Sequence, residues 1–122
     1  MSNYDILIYK AREASKLAYN PYSLYNIGAA LLCQNDQIVS GCNIENKSYG
    51  LTICAERVAL FNAISSGLTP VTMAITGKLD DKWVTPCGSC RQVIAEFMKP
   101  NDIIILDGIG MRTVSQLLPE AF

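Results

Sequence analysis

Residues 102–106, "DIIIL", constrain the fold more than any other stretch. A short, continuous apolar run of this kind suits a strand buried on both faces, so the sheet that holds it must be covered by other elements on each side. The remaining patterned segments supply both strands and covers. From Asn3 to Ala18 the apolar positions Ile6, Leu7, Ala11, Ala14, Leu17 and Ala18 recur with helical spacing behind Ser2 or Asn3 as a cap, and the helix is expected to break at "NPYS" because Pro21 disfavours a helical Asn20. "IGAALLC" (27–33) and "QIVSGCNI" (37–44) read as a hairpin turning at Asn35-Asp36. "CAERVALFNAISSG" (54–67) is helical up to Gly67, and "VTMAITG" (71–77) is rich in strand formers. "GSCRQVIAEFMK" (88–99) is helical up to Pro100, and a last short helix covers Val114 to Leu118. The order α-β-β-α-β-α-β-α predicts an α/β chain, a three-layer α/β/α sandwich around a central mixed sheet. Strand order does not follow from the pattern.

Length and composition place limits on function. The 122 residues suit one domain, 1–122, with a single core, and neither repeats nor linkers divide them. Half of the residues are hydrophobic and 17% are charged, as in globular proteins. The ten basic residues are scattered and the net charge is -1, which argues against a nucleic-acid partner. No apolar run approaches a membrane span, and the charged start "MSNYDILIYKAREASK" lacks the apolar core of a secretion signal; the expectation is a cytoplasmic protein with no membrane partner. There is no histidine. Ser-His and Cys-His nucleophile pairs are therefore excluded, acid–base work falls to other side chains, and any metal site must use sulfur and oxygen.

Five cysteines are present, Cys33, Cys42, Cys54, Cys87 and Cys90. In a reducing compartment they serve as buried filler, metal ligands or catalytic groups. Cys87 and Cys90, in "TPCGSCRQV", lie three apart at a helix start behind Pro86, so both sulfurs share one face. Alone they fit a metal pair, a redox dithiol or two core cysteines equally well. Cys54 opens the preceding helix, with Glu56 two residues on. Side chains two apart differ by about 200° around a helix, so the cysteine can turn off the helix end while the glutamate faces elsewhere. "C-A-E" opening one helix and "P-C-x-x-C" opening another match the zinc-deaminase signature in its three-cysteine form. Helix N-termini favour thiolates, and three protein ligands leave a fourth zinc position for water. Three thiolates on Zn²⁺ leave a net charge of about -1, a weak Lewis acid, so Arg57 and Arg91 are expected to donate to the sulfurs and withdraw charge.

With these residues in place, the chain resembles the small homotetrameric cytidine deaminases from about Ala14 to Phe122, through "PYSLYNIGAALL", "GCNIENKSYGLTICAERVALF", "PCGSCRQV" and "LLPEAF". The resemblance implies hydrolytic deamination of cytidine and 2′-deoxycytidine to the uridine products and ammonia, in pyrimidine salvage. It implies one Zn²⁺ per subunit held by Cys54, Cys87 and Cys90, and attack of zinc-bound hydroxide at C4 with Glu56 shuttling protons. It implies substrate contacts from the backbone at Ala55 and Thr85 and a ribose-binding stretch at Asn43, Ile44 and Glu45. Tyr25 falls where the family usually has a phenylalanine near the base, and its added hydroxyl needs a partner. Tyr49 and Phe122 resemble residues that one subunit of the tetramer lends to its neighbour's active site. Other readings are a nucleotide or nucleic-acid base deaminase, a blasticidin-type deaminase, a structural Cys₄ zinc module closed by Cys33 or Cys42, and a Cys87/Cys90 redox dithiol. Relatives acting on nucleotides or nucleic acids generally have histidine at the position of Cys54, and a Cys₄ module leaves Glu56 without a role.

Overall fold

The structure, a computed structural model, describes residues 2–122. Helix α1 (Asn3–Ser15) opens with a capping box in which the Ser2 hydroxyl accepts from the Asp5 amide and the Asp5 carboxylate accepts from the Ser2 amide. It buries Leu7, Ala11 and Ala14, at i, i+4 and i+7. The helix stops at Ser15 rather than Ala18. A tightened turn follows it, and Tyr19 leaves to exchange backbone bonds with Asn43 and Glu45. That pairing requires extended chain and outweighs helical periodicity.

Strands β1 (Gly28–Cys33) and β2 (Ile38–Cys42) form the expected hairpin, with Asp36 left-handed (φ 65°) in the turn. Helix α2 (Ala55–Ser65) follows a single 3₁₀ turn at Tyr49–Leu51. β3 (Pro70–Thr76) leads into a short hairpin, β4 (Lys78–Leu79) and β5 (Lys82–Trp83), and then helix α3 (Gly88–Phe97). β6 (Ile103–Leu106), β7 (Gly110–Thr113) and α4 (Val114–Leu117) complete the chain. The main sheet runs β2-β1-β3-β6-β7, with β3–β6 parallel and the other neighbours antiparallel. The sheet is therefore mixed, as expected. The α/β/α sandwich is also present.

Alternation along the strands divides the core. Ala30, Ala74 and Ile105 face α1 and pack with its Leu7 and Ala11. Ala29, Leu31, Met73, Ile75, Ile104 and Leu106 face the other way, towards Ala59, Leu60 and Ala63 of α2, Ile94 of α3, and Val114 and Leu117 of α4. Ile104, Ile105 and Leu106 are buried, and Ile103 partly so, because both faces of β6 are covered. Two glycines allow the helices to approach this closely. A Cβ on Gly28 would lie 2.0 Å from the Ala11 carbonyl oxygen of α1, and one on Gly41 would lie 2.5 Å from the Ala59 nitrogen of α2.

Candidate zinc site and substrate cleft

Topology brings the two cysteine motifs together. β2 and β3 both run antiparallel to β1, hence parallel to each other, and α2 and α3 follow them on the same face. Both helices therefore start at the same edge of the sheet. A two-way backbone bridge between Ile44 and Ile53 (3.0 and 2.9 Å) pins the chain just ahead of Cys54.

Cys54 is the N-cap of α2 and Cys87 the N-cap of α3. The Cys87 sulfur accepts from the Cys90 amide at 3.4 Å, whereas the Cys54 sulfur makes no capping bond and is free to face the other two. The Cys54 and Cys87 sulfurs are 4.0 Å apart, Cys87 and Cys90 3.5 Å, and all three lie within 4.8 Å of one another. A tetrahedron with metal–sulfur bonds of about 2.3 Å has edges of about 3.8 Å, so the spacing fits zinc. The chemistry of the donors agrees. Cys90, together with Arg57 and Cys87, brings the Cys54 thiol down to about 5, while Cys54 and burial push Cys90 up. Cys54 ionises at the expense of Cys90, a competition that a shared divalent cation removes. Neither Cys33 nor Cys42 belongs to the group, so a fourth cysteine does not close it.

Glu56 is almost fully buried in the first turn of α2 and lines a cleft of about 150 Å³ together with Ile27, Asn43, Cys54, Ala55, Leu79, Val84, Thr85 and Cys87. Burial pushes its carboxyl up to about 7; its own amide favours the charged form, and the Cys54 thiolate opposes it. A carboxyl balanced near neutrality can both take and return a proton.

The two arginines behave differently. Arg57, three residues after Cys54 and so on its face, donates to the Cys54 sulfur at 3.4 Å, and that bond raises its own pKa. Arg91 does not donate to sulfur, which corrects the expectation above. Its guanidinium bonds the Pro86 and Leu117 carbonyl oxygens at 2.7 and 2.9 Å, because the last carbonyls of α4 lack helical partners and attract it. Arg91 thus ties the start of α3 to the end of α4.

The family model that describes the cytidine and deoxycytidylate deaminase zinc-binding region matches residues 1–106. The chain belongs to this deaminase family. It is 48% identical to a cytidine deaminase of Halalkalibacterium halodurans over 97% of this chain and 92% of the relative, and 44% identical to one of Sporosarcina psychrophila over 95% and 88%. A crystal structure of cytidine deaminase from Burkholderia pseudomallei superposes with a TM-score of 0.90 at 40% identity, covering all of both chains. The family is a zinc-binding one, in keeping with the spacing of the three sulfurs.

Of the other residues drawn from the resemblance, Asn43, Ala55 and Thr85 line the cleft, whereas Tyr25, Ile44, Glu45, Tyr49 and Phe122 do not. Asn43 is buried: its amide oxygen accepts from the Ile27 amide at 2.9 Å and its nitrogen donates to the Tyr25 carbonyl at 3.0 Å. The Glu45 carboxylate accepts from the Tyr22 and Ser23 amides and from the Ser23 hydroxyl, first among the causes that lower its pKa. Both side chains thus grip the segment 22–27, as alternate residues of extended chain do. Each keeps unused hydrogen-bonding capacity, one N–H and one lone pair on Asn43 and a lone pair on Glu45. Glu45 and Tyr49 line a separate hollow with Tyr22 and Thr52, and the Ile44 side chain is exposed. Tyr25 lies outside the cleft lining; its hydroxyl donates to Asp80 at 3.1 Å. Phe122 is fully exposed and borders a hollow beside α4, away from the sulfurs. Leu79 and Val84 had no signal in the sequence, since the hairpin that carries them shows no alternation.

Proposed function

We infer that the whole chain, 1–122, acts as one zinc-dependent domain that hydrolyses cytidine and 2′-deoxycytidine to uridine and 2′-deoxyuridine, releasing ammonia. One observation carries this reading. The buried Glu56 carboxyl shares a cleft with Cys54 and Cys87 of a sulfur group spaced for zinc. Cys54, Cys87 and Cys90 would hold one Zn²⁺, which supplies Lewis-acid activation of water at neutral pH. Glu56 would take one proton from the attacking water and deliver it to N3 of the pyrimidine, then take the second from the hydroxyl left on C4 and pass it to the departing amine, so that ammonia leaves as the C4 carbonyl forms. The backbone at Ala55 and Thr85 orients the ring, and Ile27, Leu79 and Val84 shield it from bulk water. At about 150 Å³ the cleft is smaller than the roughly 300–1,000 Å³ of sites that enclose a drug-sized ligand, so it takes the base and leaves the sugar towards Asn43, Ile44 and Glu45.

The ultraviolet absorbance of cytidine mixed with the protein tests the activity. It should change with the wild type, stop after zinc chelation, and fall about 10²- to 10⁴-fold with Glu56→Gln. Undiminished turnover by that variant would remove Glu56 from the mechanism.

The assembly proposed is a homotetramer in which Tyr49 and Phe122 complete a neighbouring site. Its support is apolar exposure: Tyr49 is 90% exposed, Leu51 64% and Phe61 45%. Sedimentation at micromolar concentration should give four times the chain mass, and a monomer active at the same concentration would exclude the arrangement. No helix among the described residues is long and apolar enough to cross a membrane. A cytoplasmic location and the absence of a nucleic-acid partner complete the reading, supported by the scattered basic residues; fractionation of cells and a binding titration with single-stranded DNA test them.

A further inference from the structure

The β4–β5 hairpin forms part of the cleft wall yet has little support of its own. Among the described residues it pairs only with itself, two residues to a strand, and a free two-stranded hairpin is marginal in water. Its turn holds Asp80 and Asp81 at φ 51° and 66°, a left-handed pair that Asn-Gly fills more easily. The base of the hairpin is secured. The Trp83 ring packs so closely on Gly108 that a Cβ there would lie 2.1 Å from it, and the Val84 amide donates to the Gly77 carbonyl at 3.0 Å. Among the described residues, the tip has a single side-chain hydrogen bond, from the Tyr25 hydroxyl to Asp80. Leu79, adjacent to Asp80, lines the cleft, and so does Ile27, at the end of the segment that carries Tyr25.

We propose that Asp80 is a positioning residue: by accepting a hydrogen bond from the Tyr25 hydroxyl it clasps the hairpin tip to the segment 22–27 and so fixes Leu79, next to it in the chain, in the cleft wall. The segment is already held by Asn43 and Glu45 from its other contacts, so the clasp extends one braced unit to the far wall. A substrate entering an unclasped cleft must order the tip itself, and that cost falls on binding rather than on proton transfer. The proposal rests on the reading that this cleft takes a pyrimidine nucleoside.

The test compares wild type, D80G, D80N, Y25F and the Y25F/D80G double variant as zinc-loaded, full-length protein. D80G relaxes the turn but removes the acceptor, and is expected to raise KM for cytidine about three- to tenfold with kcat within about twofold. D80N keeps an acceptor oxygen and tolerates the turn, so it should restore KM. Y25F should match D80G, and the double variant should be no worse than either. Hydrogen exchange across 78–84 should quicken in D80G and Y25F but not in D80N. An unchanged KM in D80G, a loss confined to kcat, or additive effects in the double variant would overturn the clasp. If the wild type does not act on cytidine, the activity reading fails instead and the exchange data decide alone: equal exchange in all variants overturns the proposal, and the expected pattern supports it.

Discussion

Replacing Arg57 by alanine removes the cation that donates directly to the sulfur group, and the structure sets the size of the effect. Three thiolates around a divalent ion leave one surplus negative charge, and the 3.4 Å bond from Arg57 to Cys54 is where this chain offsets it. A hydrogen bond involving a charged group contributes about 1.5–3 kcal/mol. Outer partners of metal ligands typically change affinity or activity about 10- to 100-fold, or about 1.4–2.7 kcal/mol, so the two estimates agree. The Arg57 Nε is buried without a hydrogen-bond partner among the described residues, and its removal relieves part of the cost. The expected loss is therefore nearer tenfold, in zinc affinity measured against a competing chelator and in initial rate. Cys90 and Arg57 together hold the Cys54 thiol down, so without Arg57 protons compete better and the affinity deficit widens as pH falls. Arg57→Lys keeps the charge but not the planar fork, and should fall between the two. Zinc affinity and turnover both within twofold of wild type in Arg57→Ala would refute this account of charge balance.

Two further outcomes follow from the packing. Gly41→Ala places a Cβ 2.5 Å from the Ala59 nitrogen and 2.9 Å from the Ala55 carbonyl oxygen, so α2 must lift from the sheet at its metal-binding end; a loss of about 1–3 kcal/mol in denaturant unfolding and weaker zinc binding are expected, and an unchanged midpoint would count against so close a contact. Asp107, nearly buried, accepts two bonds from Arg12 at 2.8 and 2.9 Å and one from the Thr76 hydroxyl at 2.7 Å; burial opposes its charge, but these partners outweigh burial and hold its pKa below the ordinary value. Its contribution is then fully present above the unfolded pKa of about 3.9 and is lost as pH falls through the lower folded value. Compared with Asp107→Asn, the wild type should be more stable by about 1 kcal/mol at pH 7, with Arg12 largely in solvent, and the advantage should vanish on acidification below about pH 4; a gap constant with pH would disprove the linkage.

The parts of this fold that were legible in the sequence are those whose side chains repeat with a period. α1, β1, β2, α2, β3, α3 and β6 bury a face or both faces, and apolar spacing marks each of them. β7, "GMRT", is an exposed edge strand that begins at a glycine, and its pairing with β6 comes from backbone bonds that leave no hydrophobic trace. The β4–β5 hairpin has a charged Asp-Asp turn in place of Asn-Gly and only two residues a side, too short to show alternation. At the site, the three cysteines were legible because ligand chemistry demands particular residue types at helix starts, and Glu56, two residues after Cys54, lines the cleft beside them. The direction of Arg91 was not, since its partners are main-chain carbonyls of Pro86 and Leu117, and the Leu117 carbonyl lies 26 residues away in a helix end that only the fold brings near. The Tyr25–Asp80 bond escaped for the same reason, being 55 residues apart and carried by exposed polar atoms.

X-ray absorption at the zinc edge, taken on purified protein that turns over cytidine, addresses the sulfur site most directly. One zinc per chain with three sulfurs at about 2.3 Å and one oxygen or nitrogen neighbour is the predicted spectrum. Four sulfurs, or full turnover by protein without bound zinc, would contradict it.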